Sequence, residues 1–223
     1  MNRRKTLFDN EFNNDCAERM LMETGENTLG GRLPLYTRDA LEPAQQELFD
    51  WQTTNAVPWA QNAGFRAGTE SGQLIGPFNP ALLTPAISKA FMDFVLVEHE
   101  NTSLSTRARE VVILTVGAAW QAGYELYAHC AVGRHVGLND DQVRTLAAGG
   151  SPTDLSETET AAHQVAHALT VEHRLDDDLY HQAEKLLGAN GIMDVVVLTG
   201  IYHTVSAILN AFEIPVPSHG EDA

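Results

Sequence analysis

From Val111 to Trp120 the chain carries no charged residue, and the next segment, Tyr124-Glu125-Leu126-Tyr127-Ala128-His129, sets two ionisable groups four residues apart. An apolar run of this kind is a buried element. On a helix, i, i+4 spacing puts the carboxylate and the imidazole side by side on one face. Such groups are costly in an apolar interior unless they are partnered. A carboxylate beside an imidazole orients the ring, fixes its tautomer and raises its pKa, which equips the pair for proton transfer. Gln121 extends the pair to a polar line at i, i+4 and i+8. A purely structural network would hold the same line in place, so the residues alone leave both readings open.

The rest of the chain reads as helices. Leu41 to about Asn55 is amphipathic, with Leu48, Phe49 and Trp51 as apolar positions. Residues 64–80 are loop-like and end in Gly76-Pro77-Phe78-Asn79-Pro80, which cannot continue a helix. Pro85 to about Glu98 is helical, with Ile87, Phe91, Phe94 and Val95 on its apolar face. Ser105 or Thr106 caps a long helix running through the apolar block toward His135, with Gly137 as its stop. Asn139-Asp140-Asp141-Gln142 opens a short helix, and Ser156-Glu157-Thr158-Glu159 is a capping box opening another to about Val171. Asp176–Leu187 is closed by Gly188, and Ile192–Phe212 is apolar on nearly all sides. Period-2 runs and hairpin turns are missing. The expected fold is an all-α bundle with two buried central helices. Residues 1–31 form an arm or irregular lead-in, 32–216 one domain and 217–223 a tail.

Composition narrows the function. The 223 residues have a formal charge of −16. A nucleic-acid surface would repel such a chain, and no basic stripe offsets the charge. No stretch of about eighteen apolar residues suggests a membrane span, and no apolar leader follows Met1-Asn2-Arg3-Arg4-Lys5. The expectation is a cytoplasmic protein with no membrane or nucleic-acid partner. Cys16 and Cys130 are far apart and form no CxxC, so no vicinal dithiol is available.

Other polar residues have simpler readings. His203 lies in an apolar helix on a line with Thr199, Ser206 and Asn210, as a satisfied core histidine or as a wall of the same pocket. His163 and His167 form an HxxxH pair on a semi-exposed helix face. His-Glu-x-x-His is absent, so no metal is expected. Cys130 reads as a buried, inert thiol; a peroxidatic role would need access and a lowered pKa. Glu110, fifteen residues before Glu125 and roughly 60° round a continuous helix, could approach the site from below.

The run Leu104-Ser105-Thr106-Arg107-Ala108-Arg109-Glu110-Val111-Val112-Ile113-Leu114, then Trp120, then Tyr124–His129 and Gly137-Leu138, resembles the carboxymuconolactone decarboxylase family. The resemblance reaches up to the Gly76–Pro80 motif and down to Leu209-Asn210-Ala211-Phe212. It implies the all-α fold shared with AhpD alkylhydroperoxidases. Peroxidase-type members carry a glutamate, a CxxC and a histidine; aligned on Glu110 and His129, both cysteine positions fall on Ala122 and Glu125. The decarboxylase type is the better likeness. It implies a cofactor-free lyase acting on a small carboxylated lactone, with His129 as general acid/base and Glu125 as its orienting partner. Arg109 would grip a substrate carboxylate, with Phe78, Trp120, Tyr124 and His203 lining the pocket. The true decarboxylases are much shorter chains; this one has an extended N-terminal half, like the longer members. An isomerase or hydratase using the same pair, a one-cysteine peroxidase using Cys130, and a non-catalytic small-ligand binder are the alternatives. The resemblance also implies a homo-oligomer, a trimer or hexamer.

Overall fold

The structure is a computed structural model describing residues 29–217. Residues 218–223 of the tail, Cys16 and all but the last three residues of the lead-in lie outside the described residues. Residues 29–31 pack against the far end of the chain: Leu29 is buried, the Arg32 amide donates to the Phe212 carbonyl at 2.8 Å, and Arg32 pairs with Glu213.

Eight α-helices follow one 3₁₀ turn, and no strand occurs among the described residues. Helix α1 spans Pro43–Ala63, with Glu42 and Gln45 in a reciprocal capping box and Gly64 closing it at φ 89°. It runs past the expected end and straight through Pro58. Helix α2 is the single turn Phe78–Ala81. Helix α3 is Pro85–Asn101, α4 is Thr106–Trp120 capped by Ser105, and α5 is Gly123–His135. Helix α6, Asp140–Ala147, opens on the Asn139/Gln142 box. Helix α7, Glu157–Val171, opens on the Ser156/Glu159 box. Helix α8 spans Asp177–Ala211 and is broken at Gly188 (φ 68°, ψ 169°), where the sequence places the stop.

The helix expected to run from Ser105 to His135 is two helices. Gln121 turns left-handed at φ 52° and caps α4 through its own amide, after which the chain folds back into α5. Gln121 is exposed, so it does not share a helix face with Glu125 and His129, and the polar line of three reduces to a pair.

Helix α4 is the centre of the molecule: every residue from Ala108 to Gly117 is buried. On one side Val112 and Ile113 pack with Ala162, Val165 and Ala166 of α7 and Val195 and Leu198 of α8. On the other, Val111 and Leu114 pack with Leu138, Val143 and Leu146. The second half of α8 is long and apolar enough to cross a membrane by length and composition. Its Ile192, Val195, Leu198, Ile201 and Leu209 are core residues here, while Met193 and Val196 face outward.

Helix α3 departs from expectation. Ile87 and Phe94 were read as core-facing, yet they are 71% and 49% exposed, and the one buried residue of the helix is the charged Glu98.

Candidate active site

The fold-back at Gln121 brings the start of α4 alongside the middle of α5. The His129 Nδ1–H donates to Glu110 Oε2 at 2.8 Å. On the opposite edge of the ring, Nε2 lies 3.3 Å from Glu125 Oε1. All three side chains are buried. One imidazole therefore stands between two carboxylates, one on each nitrogen. The orienting partner at Nδ1 is Glu110, not Glu125. Glu110 reaches the ring from a neighbouring helix, whereas the sequence reading brought it up one continuous helix.

The electrostatics follow from burial and this sandwich. Burial is the largest influence on Glu125 and raises its carboxyl; Glu110 adds repulsion, His129 offsets part of it, and the result is pushed up to about 7. For His129, burial favours the neutral ring, but Glu110, Glu125 and the hydrogen bond to Glu110 outweigh it and the pKa rises. Near neutral pH the Glu125–His129 pair is thus poised to hold or release a proton. Glu125 Oε1 is buried with no hydrogen-bond partner, an open acceptor aimed at the ring edge.

Two more residues complete the surroundings. Tyr202 of α8 packs edge-on to the His129 ring, centroids 5.1 Å apart. Burial, followed by the charges of Glu125 and Glu110, raises its phenol well above the ordinary value. Glu98 of α3 forms a buried ion pair with Arg109. Arg109 is near enough to lower the His129 pKa, but its guanidinium is already engaged by Glu98 and is not an open clamp for a substrate carboxylate. Position offers a signal for both residues: Glu98 is a charge at the end of an apolar helix face, and Tyr202 precedes His203 in the apolar final helix.

The remaining predicted residues occupy other places. Tyr124 is buried, its hydroxyl donating to the Arg66 carbonyl, its ring against Gly76. A Cβ at Gly76 would meet that ring at 2.3 Å, and Gly76 itself sits at φ +65°, so both space and backbone demand glycine there. Phe78 packs beside Ile75 and Tyr124. Trp120 and His203 pair with each other, centroids 5.7 Å apart. The Thr170 hydroxyl donates to Ala166 O and lies 3.0 Å from His203 Nε2, so His203 is a hydrogen-bonded histidine. Cys130 is half-buried, and burial raises its thiol.

Residues 85–168 match the model of the carboxymuconolactone decarboxylase family. Over this stretch the chain is similar to that family. The family match contains Glu98, Arg109, Glu110, Glu125 and His129; Tyr202 lies beyond it. Known structures share the AhpD-like fold. An uncharacterized peroxidase-related protein from Ralstonia eutropha JMP134, an alkylhydroperoxidase AhpD core, aligns at a TM-score of 0.65 and 15% identity over 84% of this chain and 92% of that one. The debrominase Bmp8 in complex with 2,3,4-tribromopyrrole aligns at 0.64 and 17% over 87% and 95%. An Agrobacterium tumefaciens protein of unknown function, described as a putative antioxidant defence protein AhpD, aligns at 0.58 and 20% over 63% and 97%. No curated protein matches the chain.

Proposed function

We propose that this protein is a lyase that moves a proton to or from carbon in a small carboxylated lactone or a related enolisable acid, as its similarity to the carboxymuconolactone decarboxylase family suggests. The observation that carries the reading is the single imidazole held between two buried carboxylates, Glu110 at Nδ1 and Glu125 at Nε2. Glu110 fixes the ring. The Glu125–His129 couple supplies the proton, with Glu125 raised into the neutral range where a general acid works best. In a decarboxylation, the bond between the ring carbon and the carboxylate breaks and CO₂ leaves. The electron pair stays on that carbon, delocalised into the adjacent unsaturation, and is quenched by the proton from the couple. An isomerase or hydratase step would use the same couple without loss of CO₂.

The peroxidase alternative is less well supported. Cys130 has its thiol raised by burial, with only Arg134 opposing, whereas peroxide attack needs a stabilised thiolate.

The test is CO₂ release from 4-carboxymuconolactone by wild type and His129→Ala, with circular dichroism confirming that both are folded. The expected result is release by wild type and a loss of about 10²–10⁴-fold in the variant. A folded variant with wild-type turnover would overturn the role of His129. No release by either protein would reject this substrate.

A further inference from the structure

A cleft lined by His163 and His167, and not by His129, opens on another side of the bundle. Thr115 is five residues beyond Glu110 on α4, about 140° round the helix, and it faces a different cavity. Two neighbouring cavities share Gly149, His163 and His167. An inner chamber of about 100 Å³ is walled by Thr115, Ala118, Ala119, Leu146 and Val171, with His163 and His167 between it and the outside. An outer cleft of about 520 Å³ shares His163, His167 and Gly149 and is rimmed by Glu172, Asp176 and Asp178. Neither lysine nor arginine lines either part.

The protonation of His163 is set by its neighbour. The Thr115 hydroxyl donates to the Val111 carbonyl at 2.6 Å, and a carbonyl can only accept. The same hydroxyl oxygen lies 2.8 Å from His163 Nδ1. Its proton is committed, so Nδ1–H must donate to it. The Nε2 of His163 is then the lone-pair nitrogen. His167 follows one turn later on the same face, ring centroids 6.1 Å apart and tilted at 45°.

We propose that His163 and His167 bind a divalent transition cation of the zinc, nickel or copper class through their imidazole nitrogens. Imidazole suits these ions. A histidine that ligates metal almost always donates its other ring N–H to a fixed acceptor, and Thr115 is that acceptor here. At metal–nitrogen distances of about 2.0–2.1 Å, two imidazoles on one tetrahedral ion hold their centroids roughly 5 Å apart. The rings stand 6.1 Å apart here, so binding requires the exposed His167 ring to turn toward His163. The acidic rim adds a field that favours a cation. Among the described residues no three His, Cys, Asp or Glu side chains converge on one point. The protein therefore supplies two ligands, and water or a small anion in the outer cleft completes the coordination. The sequence shows the HxxxH pair; the fold adds Thr115, the cavity and the acidic mouth.

The experiment is a Zn²⁺ titration of the full chain in competition with a chromophoric chelator, repeated with Co²⁺ and its visible absorption. The variants are His167→Ala, Thr115→Val and, as a surface control, His181→Ala. His167 is exposed, so its removal leaves the fold intact, which thermal melting checks. The expected result is saturable one-to-one binding, weakened at least about tenfold by His167→Ala. Thr115→Val is expected to weaken it by about 10–100-fold, the usual effect of removing such a hydrogen-bond partner. His181→Ala leaves it unchanged. Absence of one-to-one binding in the wild type, or binding untouched by His167→Ala, overturns the proposal. Affinity lost in His167→Ala but retained in Thr115→Val overturns the tautomer argument.

Discussion

Glu110 holds His129 across a break in the chain: the carboxylate is on α4, the ring on α5, and the left-handed Gln121 between them turns the two helices against each other. Because Glu110 contacts the ring and Glu125 has an unpaired oxygen beside it, the two glutamates have separable roles.

Glu110→Gln keeps the shape of the side chain but removes the charge that fixes and charges the ring. The expected outcome is a fall in kcat of about 10–100-fold with KM little changed, the pattern of a positioning residue. The His129 pKa is expected to fall as well, because Glu110 is the leading influence that raises it. Histidine ring NMR during a pH titration reads that shift directly. A variant with unchanged kcat and an unchanged imidazole pKa would remove Glu110 from the site.

Glu125 links the site to stability. Its carboxyl titrates at about 7 in the folded protein, above the ordinary 4.5. The folded state therefore holds this proton more tightly than the unfolded state, and stability is expected to fall as pH rises from about 4.5 to about 7. His129 is raised as well, from 6.5, so its contribution is present below that value and is lost as pH climbs through the folded pKa. The two slopes have the same sign. Glu125→Gln cannot ionise and is expected to flatten the slope below about pH 7. Urea midpoints at pH 5 and pH 8 measure this, and an undiminished slope in Glu125→Gln would count against it.

Glu98 and Arg109 form a buried pair linking α3 to α4. Arg109→Met leaves the Glu98 carboxylate buried and uncompensated and is expected to cost about 3–5 kcal/mol. The double variant Glu98→Gln/Arg109→Met is expected to recover much of that loss. A double-mutant cycle by chemical denaturation checks it; additive effects would show that the pair is not coupled.

Helix α3 exposes Ile87, Phe94 and Val97 at 71%, 49% and 56%. An apolar face of this kind on one helix is characteristic of an interaction surface. A second copy of the chain, in a trimer or hexamer, is the expected occupant. Light scattering coupled to gel filtration is expected to show a defined oligomer that Ile87→Glu/Val97→Glu reduces to a smaller species. A wild-type monomer at micromolar concentration would exclude it.

The helices were readable wherever a side chain marks an end: Ser105, Asn139, Ser156 and Asp176 each cap the helix assigned to them. The break at Gln121 was not. Trp120-Gln121-Ala122 contains no proline or glycine, and the left-handed turn is adopted by a glutamine, a residue that favours continuing the helix. That one misreading put Gln121 on the site face and brought Glu110 in by the wrong route. The His129–Glu125 pair survived it because i, i+4 spacing lies wholly within α5. Arg109 was legible as a charge near the site, but its partner comes from another helix, and no local pattern encodes such a contact. The apolar face of α3 was legible as apolar; what it faces is decided by tertiary packing.

Helix α3 is latched as well as packed, with half-buried Met92 against Leu48, Phe49, Leu74 and Leu82. Its one buried residue is Glu98, and the arginine that holds Glu98 also lowers the basicity of the His129 imidazole. Undocking the helix would therefore expose Met92 and strand one charge. Whatever loosens that latch, such as an anion competing for the guanidinium, reaches the imidazole electrically without touching it. The proton affinity of His129 would then serve as an internal gauge of whether the helix is seated.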